Sequence, residues 1–294
     1  MIYHAAIPNY QLQPIFKEIL WHKKLEVSHI QQEMSLASLQ RQLSAAPTVR
    51  DFVTAIQQSV LKPSLIAEVK KASPYQGLIR PDFQPVAIAQ AYERAGVSCI
   101  SVVTDHKFFQ GSFEQLRSIR YCVALPLLCK DFIIDPCQIY LARAAGADAV
   151  LLIAAILTDR EIQNFLRVIH YLGMNAVVEV HNFGELERVL RLEDIRIISM
   201  NNRSLEDLSV DTSVTETLLA TKRSQLENMG ILVFSDSGIE TSADISVVTD
   251  AGANGVIMGE SFLKHQDVEL AVRNLLKSNF PVYKDLLTKG IKTI

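Results

Sequence analysis

A closed (β/α)8 barrel behind an N-terminal helical extension is the fold that this sequence predicts. Three observations carry it. Eight short β-rich runs recur at intervals of roughly 21 to 35 residues between residues 65 and 261. Helical segments separate them, as in repeated strand–helix units. The runs are near-continuously apolar where they begin, which suits a parallel sheet covered on both faces. An open doubly wound sheet is the alternative, but no Gly-x-Gly-x-x-Gly follows any run, so a dinucleotide fold has little support.

The elements can be justified in order. Residues 1–60 read as a helical extension, and residues 61–294 as the barrel, one structural domain. In the extension Ile15, Ile19 and Leu20 open an apolar spacing that continues through LEVSHIQQEMSLASLQRQL as helix. Pro47 breaks the pattern, and DFVTAIQQ restarts it with Asp51 as its cap. The strand candidates are LIAEVKK (65–71), CISVVTD (99–105), PLLCKDF (126–132) and AVLLIAAI (149–156). NAVVEVH (175–181), RIISMNN (196–202), ILVFSDS (231–237) and GVIMGES (255–261) complete the set. Four of them follow related phrases, RAGVSCI, AAGADAV, YLGMNAV and DAGANGV. A glycine there takes the left-handed conformation that stops a helix, and the next strand begins at once.

Composition narrows the functional classes. The 294 residues are 49% hydrophobic and 21% charged, enough for one large barrel or two modest domains. A net charge of -3 leaves no nucleic-acid footprint. No apolar run reaches the roughly 18 residues of a membrane span, and MIYHAAIPNYQLQPIF does not read as a signal peptide. Cys99, Cys122, Cys129 and Cys137 form no Cys-x-x-Cys pair, and no histidine spacing completes a metal site. Buried, reduced thiols in a cytoplasmic protein without metal are expected.

The runs begin apolar, and nearly all end polar. Glu68, Lys70 and Lys71 end the first; Thr104 and Asp105 the second; Lys130 and Asp131 the third. Glu179 and His181, then Asn201, Asn202 and Arg203, end the fifth and sixth. Ser235, Asp236 and Ser237 end the seventh, and Gly259, Glu260 and Ser261 the eighth. In a barrel these ends share the face that carries active sites. A strand must also end in something polar before a loop, and for Asp105 or Asn202 that explanation serves equally well. It fits Glu68, Lys70, Lys130 and Glu179 less well, because they sit inside the strand pattern. Glu68 and Lys70, two apart, point to one side, and Lys130 shares the parity of Leu128 and Phe132. Charges in a barrel mouth must pair or be neutralised. Two lysines and two glutamates could compensate one another, and such a cluster shifts pKa values as acid–base chemistry requires. A purely structural ion-pair network would be a costly way to hold a core.

A phosphate grip is also legible. Ser237-Gly238 follows the seventh run and Gly259-Glu260-Ser261 opens a helix after the eighth. Backbone N–H groups in such turns favour an anion, at the usual phosphate position of this fold. His106 and His181 could face the site, but not as a metal set. Phe108, Phe109 and Phe132 could line a pocket for a ring or serve as ordinary packing.

Taken together, IAEVKKASP (66–74), TDHKFFQGSFE (104–114), LLCKDFI (127–133), VEVH (178–181), MNNRSL (200–205), SDSGI (235–239) and MGESFLK (258–264) resemble the indole-3-glycerol phosphate synthase family of tryptophan biosynthesis. The resemblance is to monofunctional bacterial members, cyanobacterial ones included. It implies a small sugar-phosphate substrate, 1-(o-carboxyphenylamino)-1-deoxyribulose 5-phosphate. The indole ring is closed with loss of carbon dioxide and water, without cofactor or metal. By motif, Lys130 is then the general acid on the ketone oxygen. Desolvation and neighbouring cations are expected to draw its pKa toward neutrality. Glu179 is the acid/base of the dehydration. Glu68 and Lys70 are the paired support, and Asn201 and Ser237 orient the intermediate. Ser73 and Arg203 anchor substrate anions, with Asp236 on the binding side. Gly238, Gly259 and Glu260 hold phosphate, while Pro74, Phe109, Phe132 and Leu151 wall the aromatic ring.

The sequence departs from the family's usual pattern in places. Asp236 stands for a glutamate, Ser199 for a glycine, and Tyr75-Gln76 for Ser-Lys; His106 replaces a common acidic residue. These departures keep a specialised or drifted paralogue and a non-catalytic phosphate-binding barrel open as alternatives. A monomer is expected, in weak association at most with pathway enzymes, with neither nucleic acid nor membrane as partner.

Overall fold

All eight apolar runs become parallel strands of one closed barrel in the computed structural model, which describes residues 12–279. The strands are β1 (Ser64–Val69), β2 (Cys99–Val103), β3 (Leu127–Lys130), β4 (Ala149–Ile153), β5 (Asn175–Val180), β6 (Ile197–Asn201), β7 (Leu232–Asp236) and β8 (Gly255–Met258). Each bonds its chain neighbours, and β8 closes onto β1 with Ser64 opposite Gly255. Register then aligns the polar ends. Glu68 pairs with Ser101, Val103 with Lys130, Ile153 with Glu179 and Asn201 with Asp236. One rim of the barrel thus collects every strand terminus singled out by its charge.

The expected helix stops are present. Gly96, Gly146, Gly173 and Gly252 have φ of 86°, 98°, 78° and 121°, just before β2, β4, β5 and β8. Their left-handed backbone is cheap for glycine and reverses the chain onto the next strand.

The extension is three helices, α1 (Pro14–Glu33), α2 (Leu36–Ser44) and α3 (Phe52–Gln57). The continuous helix expected through LEVSHIQQEMSLASLQRQL is interrupted. Met34 is extended, and Ser35 starts α2 by accepting a hydrogen bond from the Ser38 N–H. A serine can satisfy an orphan N–H of a new helix, which makes it a poor interior residue and a good cap. Asp51 caps α3 as expected, accepting from the Thr54 N–H at 3.0 Å. Helical readings for residues 1–11, and the barrel's expected tail from 280 to 294, lie outside the described residues.

One face of α1 buries Phe16, Ile19, Leu20, Lys23 and Val27. Their three- and four-residue spacing is one helical stripe. The apolar members join the same continuous core as the barrel strands. Cys99 and Cys129 are buried free thiols, but Cys122 is exposed and Cys137 half-buried, which corrects the expectation of four buried thiols. Among the described residues no helix is long and apolar enough to cross a membrane.

Candidate active site

At the rim β1 presents Glu68, and Lys70 follows on the same side. The Glu68 carboxylate takes Lys70 Nζ at 2.5 Å on one oxygen and Lys130 Nζ at 2.7 Å on the other. Lys130 also donates to Asp236 Oδ2 at 2.7 Å, across the mouth from β7. The shorter side chain at 236 therefore still reaches the lysine.

This geometry overturns the expectation that the Lys130 pKa is drawn toward neutrality. Burial does depress it, but the Asp236 and Glu68 carboxylates outweigh burial and hold the ammonium above the ordinary lysine range. Lys130 rests as a charged acid. Burial raises Glu68, yet Lys130 and Lys70 together bring it down to about 2. Asp236 moves the other way, raised by burial and by the nearby Glu68 and Glu179 charges. The two carboxylates differ because Glu68 has two ammonium partners and Asp236 has one. Asp236, expected on the substrate-binding side, borders the second cavity described below and pairs there with Lys130.

Glu179 projects from β5. Its carboxyl is held below the usual range: burial opposes this, while the neighbouring His181, Lys130 and Asn201 outweigh it. Arg203 stacks over the Tyr75 ring at 4.9 Å and donates to the Leu208 carbonyl at 3.1 Å. Its guanidinium borders both cavities described next.

Two adjoining cavities meet at the Glu68–Lys70–Lys130 cluster. The first is mostly apolar, walled by Phe109, Phe132, Leu151 and Tyr75, with Phe16 and Leu20 of α1 closing it. Phe109 and Phe132 rings lie 6.1 Å apart, tilted by 43°, and both line this apolar slot. The second is polar, lined by Ser73, Ser237, Gly238, Gly259, Glu260 and Ser261. Asn201 borders the first cavity, and Ser237 borders both. Pro74 lines neither. It occupies the turn of a small hairpin, Ala72–Ser73 with Gly77–Leu78, and Tyr75 takes the place expected for it.

The polar end is tightly built. Asn202 donates to Ser235 Oγ and to the Ser237 carbonyl, at 3.0 and 2.9 Å, and so fixes the loop after β7. Asn202 thus has a structural task at the strand end. A Cβ on Gly259 would stand 2.7 Å from both the Cβ and the carbonyl oxygen of Glu68. Gly259→Ala should therefore push Glu68 and the phosphate turn apart. We expect a loss of about 1–3 kcal/mol from overpacking and a larger proportional fall in kcat/KM, checked by thermal unfolding with steady-state kinetics. The Ser261 hydroxyl is buried without a partner among the described residues, beside the same turn.

Several lining residues escaped the sequence reading. Leu20 was legible in the helical apolar spacing but not as a wall of this cavity, and Phe16 was not singled out at all. Lys23 falls on that stripe, and its Nζ pairs with Asp105 at 2.8 Å, Asp131 at 2.9 Å and Glu26 at 2.6 Å. A lysine in an apolar stripe is the signal that could have found it. His106 is exposed and borders neither cavity.

Comparison with known proteins identifies the family. The model of the indole-3-glycerol phosphate synthase family matches residues 16–275. The indole-3-glycerol phosphate synthase of Rippkaea orientalis is 51% identical over 273 residues, covering 93% of each chain. That of Crocosphaera subtropica is 50% identical over the same length and coverage. That of Microcystis aeruginosa is 48% identical over 276 residues, 94% of this chain and 93% of its own. Among solved structures, a mandelate oxidase variant superposes with a TM-score of 0.56 at 17% identity, covering 78% of this chain and 75% of its own, a likeness of fold alone. With a family match spanning nearly the whole barrel and relatives near half-identical along its length, the chain belongs to the indole-3-glycerol phosphate synthase family.

Proposed function

We propose that this chain closes the indole ring of 1-(o-carboxyphenylamino)-1-deoxyribulose 5-phosphate, releasing carbon dioxide and water. The family's members are decarboxylating lyases of tryptophan biosynthesis. The observation that carries the reading is Lys130, held as an ammonium between Glu68 and Asp236 where an apolar slot meets a polar pocket.

In this reading the anthranilate ring lies in the slot of Phe109, Phe132 and Leu151. The phosphate takes backbone N–H groups of Gly238, Gly259 and Glu260, with the Ser261 hydroxyl beside them. Ser73 and Arg203 help to hold the anionic groups. Lys130 gives its proton to the ketone oxygen while the ring carbon bearing the carboxylate attacks the ketone carbon. The carbon–carboxylate bond then breaks, and its electron pair restores the aromatic ring as carbon dioxide leaves. The nitrogen lone pair expels the new hydroxyl as water, protonated by an ammonium of the cluster. Glu179, ionised at rest, takes the remaining carbon-bound proton. Asn201 and Ser237 orient the intermediate, and Lys70 balances Glu68. The exposed thiol of Cys122 suits a reducing cytoplasm.

The test is fluorescence-monitored product formation by the natural protein beside Asp236→Glu. Because Asp236 already bonds Lys130, the natural protein should turn over the parent substrate. Asp236→Glu should stay within about tenfold of it, since only a supporting group is moved. A silent natural protein rescued by the glutamate would instead mark a drifted paralogue. Silence in both would remove the proposal.

A further inference from the structure

We propose that His181 is a positioning residue, a buried imidazolium that keeps Glu179 ionised and aimed into the barrel mouth. This rests on the reading of Glu179 as the proton acceptor of the dehydration.

The geometry is a three-member chain. His181 follows Glu179 by two residues and lies on the same side of the chain. Its Nε2 stands 3.2 Å from Glu179 Oε1, and its Nδ1 stands 3.1 Å from Glu185 Oε2. The imidazole side chain is 2% exposed, so water does not mediate either contact. A neutral imidazole has one N–H and one acceptor nitrogen, and so could serve only one of the two carboxylates. Nδ1 is within hydrogen-bond geometry of Glu185, while Nε2 faces Glu179 at ion-pair distance outside hydrogen-bond geometry. A carboxylate on each side favours the ring with both nitrogens protonated.

Glu185 is itself fixed. Its Oε2 accepts from the His181 backbone N–H at 2.9 Å, and its Oε1 accepts from Asn182 Nδ2 at 2.8 Å. The helix Phe183–Val189 that carries it thereby sets the ring's orientation. Burial lowers the His181 pKa, yet hydrogen bonding and charge from Glu179 and Glu185 raise it to about 10. Those two carboxylates are the charges acting on the ring. Glu179 in turn feels Lys130 of β3 and lies near Asp236 of β7. Glu179 Oε2 is buried and has no hydrogen-bond partner among the described residues. With Oε1 beside the imidazolium, Oε2 is the oxygen left to receive a proton.

A histidine held between two glutamates could equally be an internal brace. The two roles separate in pH dependence. Without the imidazolium, burial raises the Glu179 pKa unopposed from that side. Kinetics of the full chain should be followed from about pH 3 to 9, a range that extends below the ordinary carboxyl value, for the natural protein, His181→Asn and Glu179→Gln. The acid limb of kcat should move up by about 1–3 pH units in His181→Asn, the shift expected on losing an opposite charge at this range. Its kcat should recover toward the natural value above the new limb, with KM nearly unchanged. A uniform fall in kcat with the limb unmoved would reduce His181 to a brace and overturn the inference. Should Glu179→Gln retain turnover, the assignment of Glu179 fails instead, and the inference with it. Nitrogen NMR of the labelled natural protein gives an answer even if His181→Asn does not fold. His181 should show both ring nitrogens protonated at neutral pH, and a neutral ring there would overturn the proposal.

Discussion

Lys130→Arg should fold like the natural protein and yet lose ring closure, its kcat falling by about 10²–10⁴-fold, the contribution of a positioned general acid. Arginine keeps the positive charge that Glu68 and Asp236 require. Its pKa and forked geometry make it a poor proton donor at a point set for an ammonium. Lys130→Met should lose the same activity and also stability. It leaves Asp236 without its cation and Glu68 with Lys70 alone. Breaking a buried ion pair in this way costs about 3–5 kcal/mol. The pair of variants separates acid from counter-ion. If Lys130→Arg keeps kcat within about tenfold of the natural value, a loss of only about 1.4 kcal/mol in the barrier, Lys130 is not the acid.

The same cluster fixes the sign of a pH effect. Lys130 is raised in the folded state. Its contribution is complete below the ordinary lysine pKa and is lost only as pH climbs through the higher folded value. Glu68 is lowered from 4.5 to about 2. Its contribution is complete above 4.5 and is lost as pH falls through that window to about 2. Acid melts should therefore be steeper for the natural protein than for Lys130→Met between those values.

Periodicity alone located the strands, and in-strand charge located Glu68, Lys70, Lys130 and Glu179. Both signals are local, since each compares a residue with its immediate neighbours. The charge state of Lys130 was not legible, because Asp236 reaches it from 106 residues away. Desolvation and neighbouring cations suggested a lysine drawn toward neutrality; two carboxylates on one ammonium reverse that. Pro74 and Tyr75 exchange places because a four-residue hairpin pairing decides which side chain points inward, and nothing in the order Ser-Pro-Tyr declares that turn. His181 was visible as a strand-end histidine. Its role depends on Glu185, which becomes a partner only once the following helix is capped by Asn182.

Lys23→Met should be the most destabilising change outside the catalytic cluster, by about 3–5 kcal/mol, because it leaves buried carboxylates without their cation. Lys23 is 3% exposed. Burial opposes its charge, but Asp131, Asp105 and Glu26 hold the ammonium well above the usual lysine range. Each partner also belongs to the site's frame. Asp131 follows Lys130 directly and accepts from Thr104 Oγ1 at 2.7 Å. Asp105 accepts from the N–H groups of Phe108 and Phe109, at 2.9 and 3.2 Å, and so sets the loop bearing one wall of the slot. On the helix side, Phe16 and Leu20 lie on the same stripe as Lys23 and close the slot. Losing the lysine thus loosens α1 from the mouth and frees the Phe109 loop together. KM should rise more than kcat falls, since the ring's walls are disturbed while Lys130 keeps Glu68 and Asp236. Lys24→Met, one residue along and exposed, is the control, and should stay within about 0.5 kcal/mol. Urea unfolding with steady-state kinetics reads both effects. Equal stability of the two variants would mean that α1 is held by its apolar stripe alone, and that the buried ion cluster contributes nothing to closing the site.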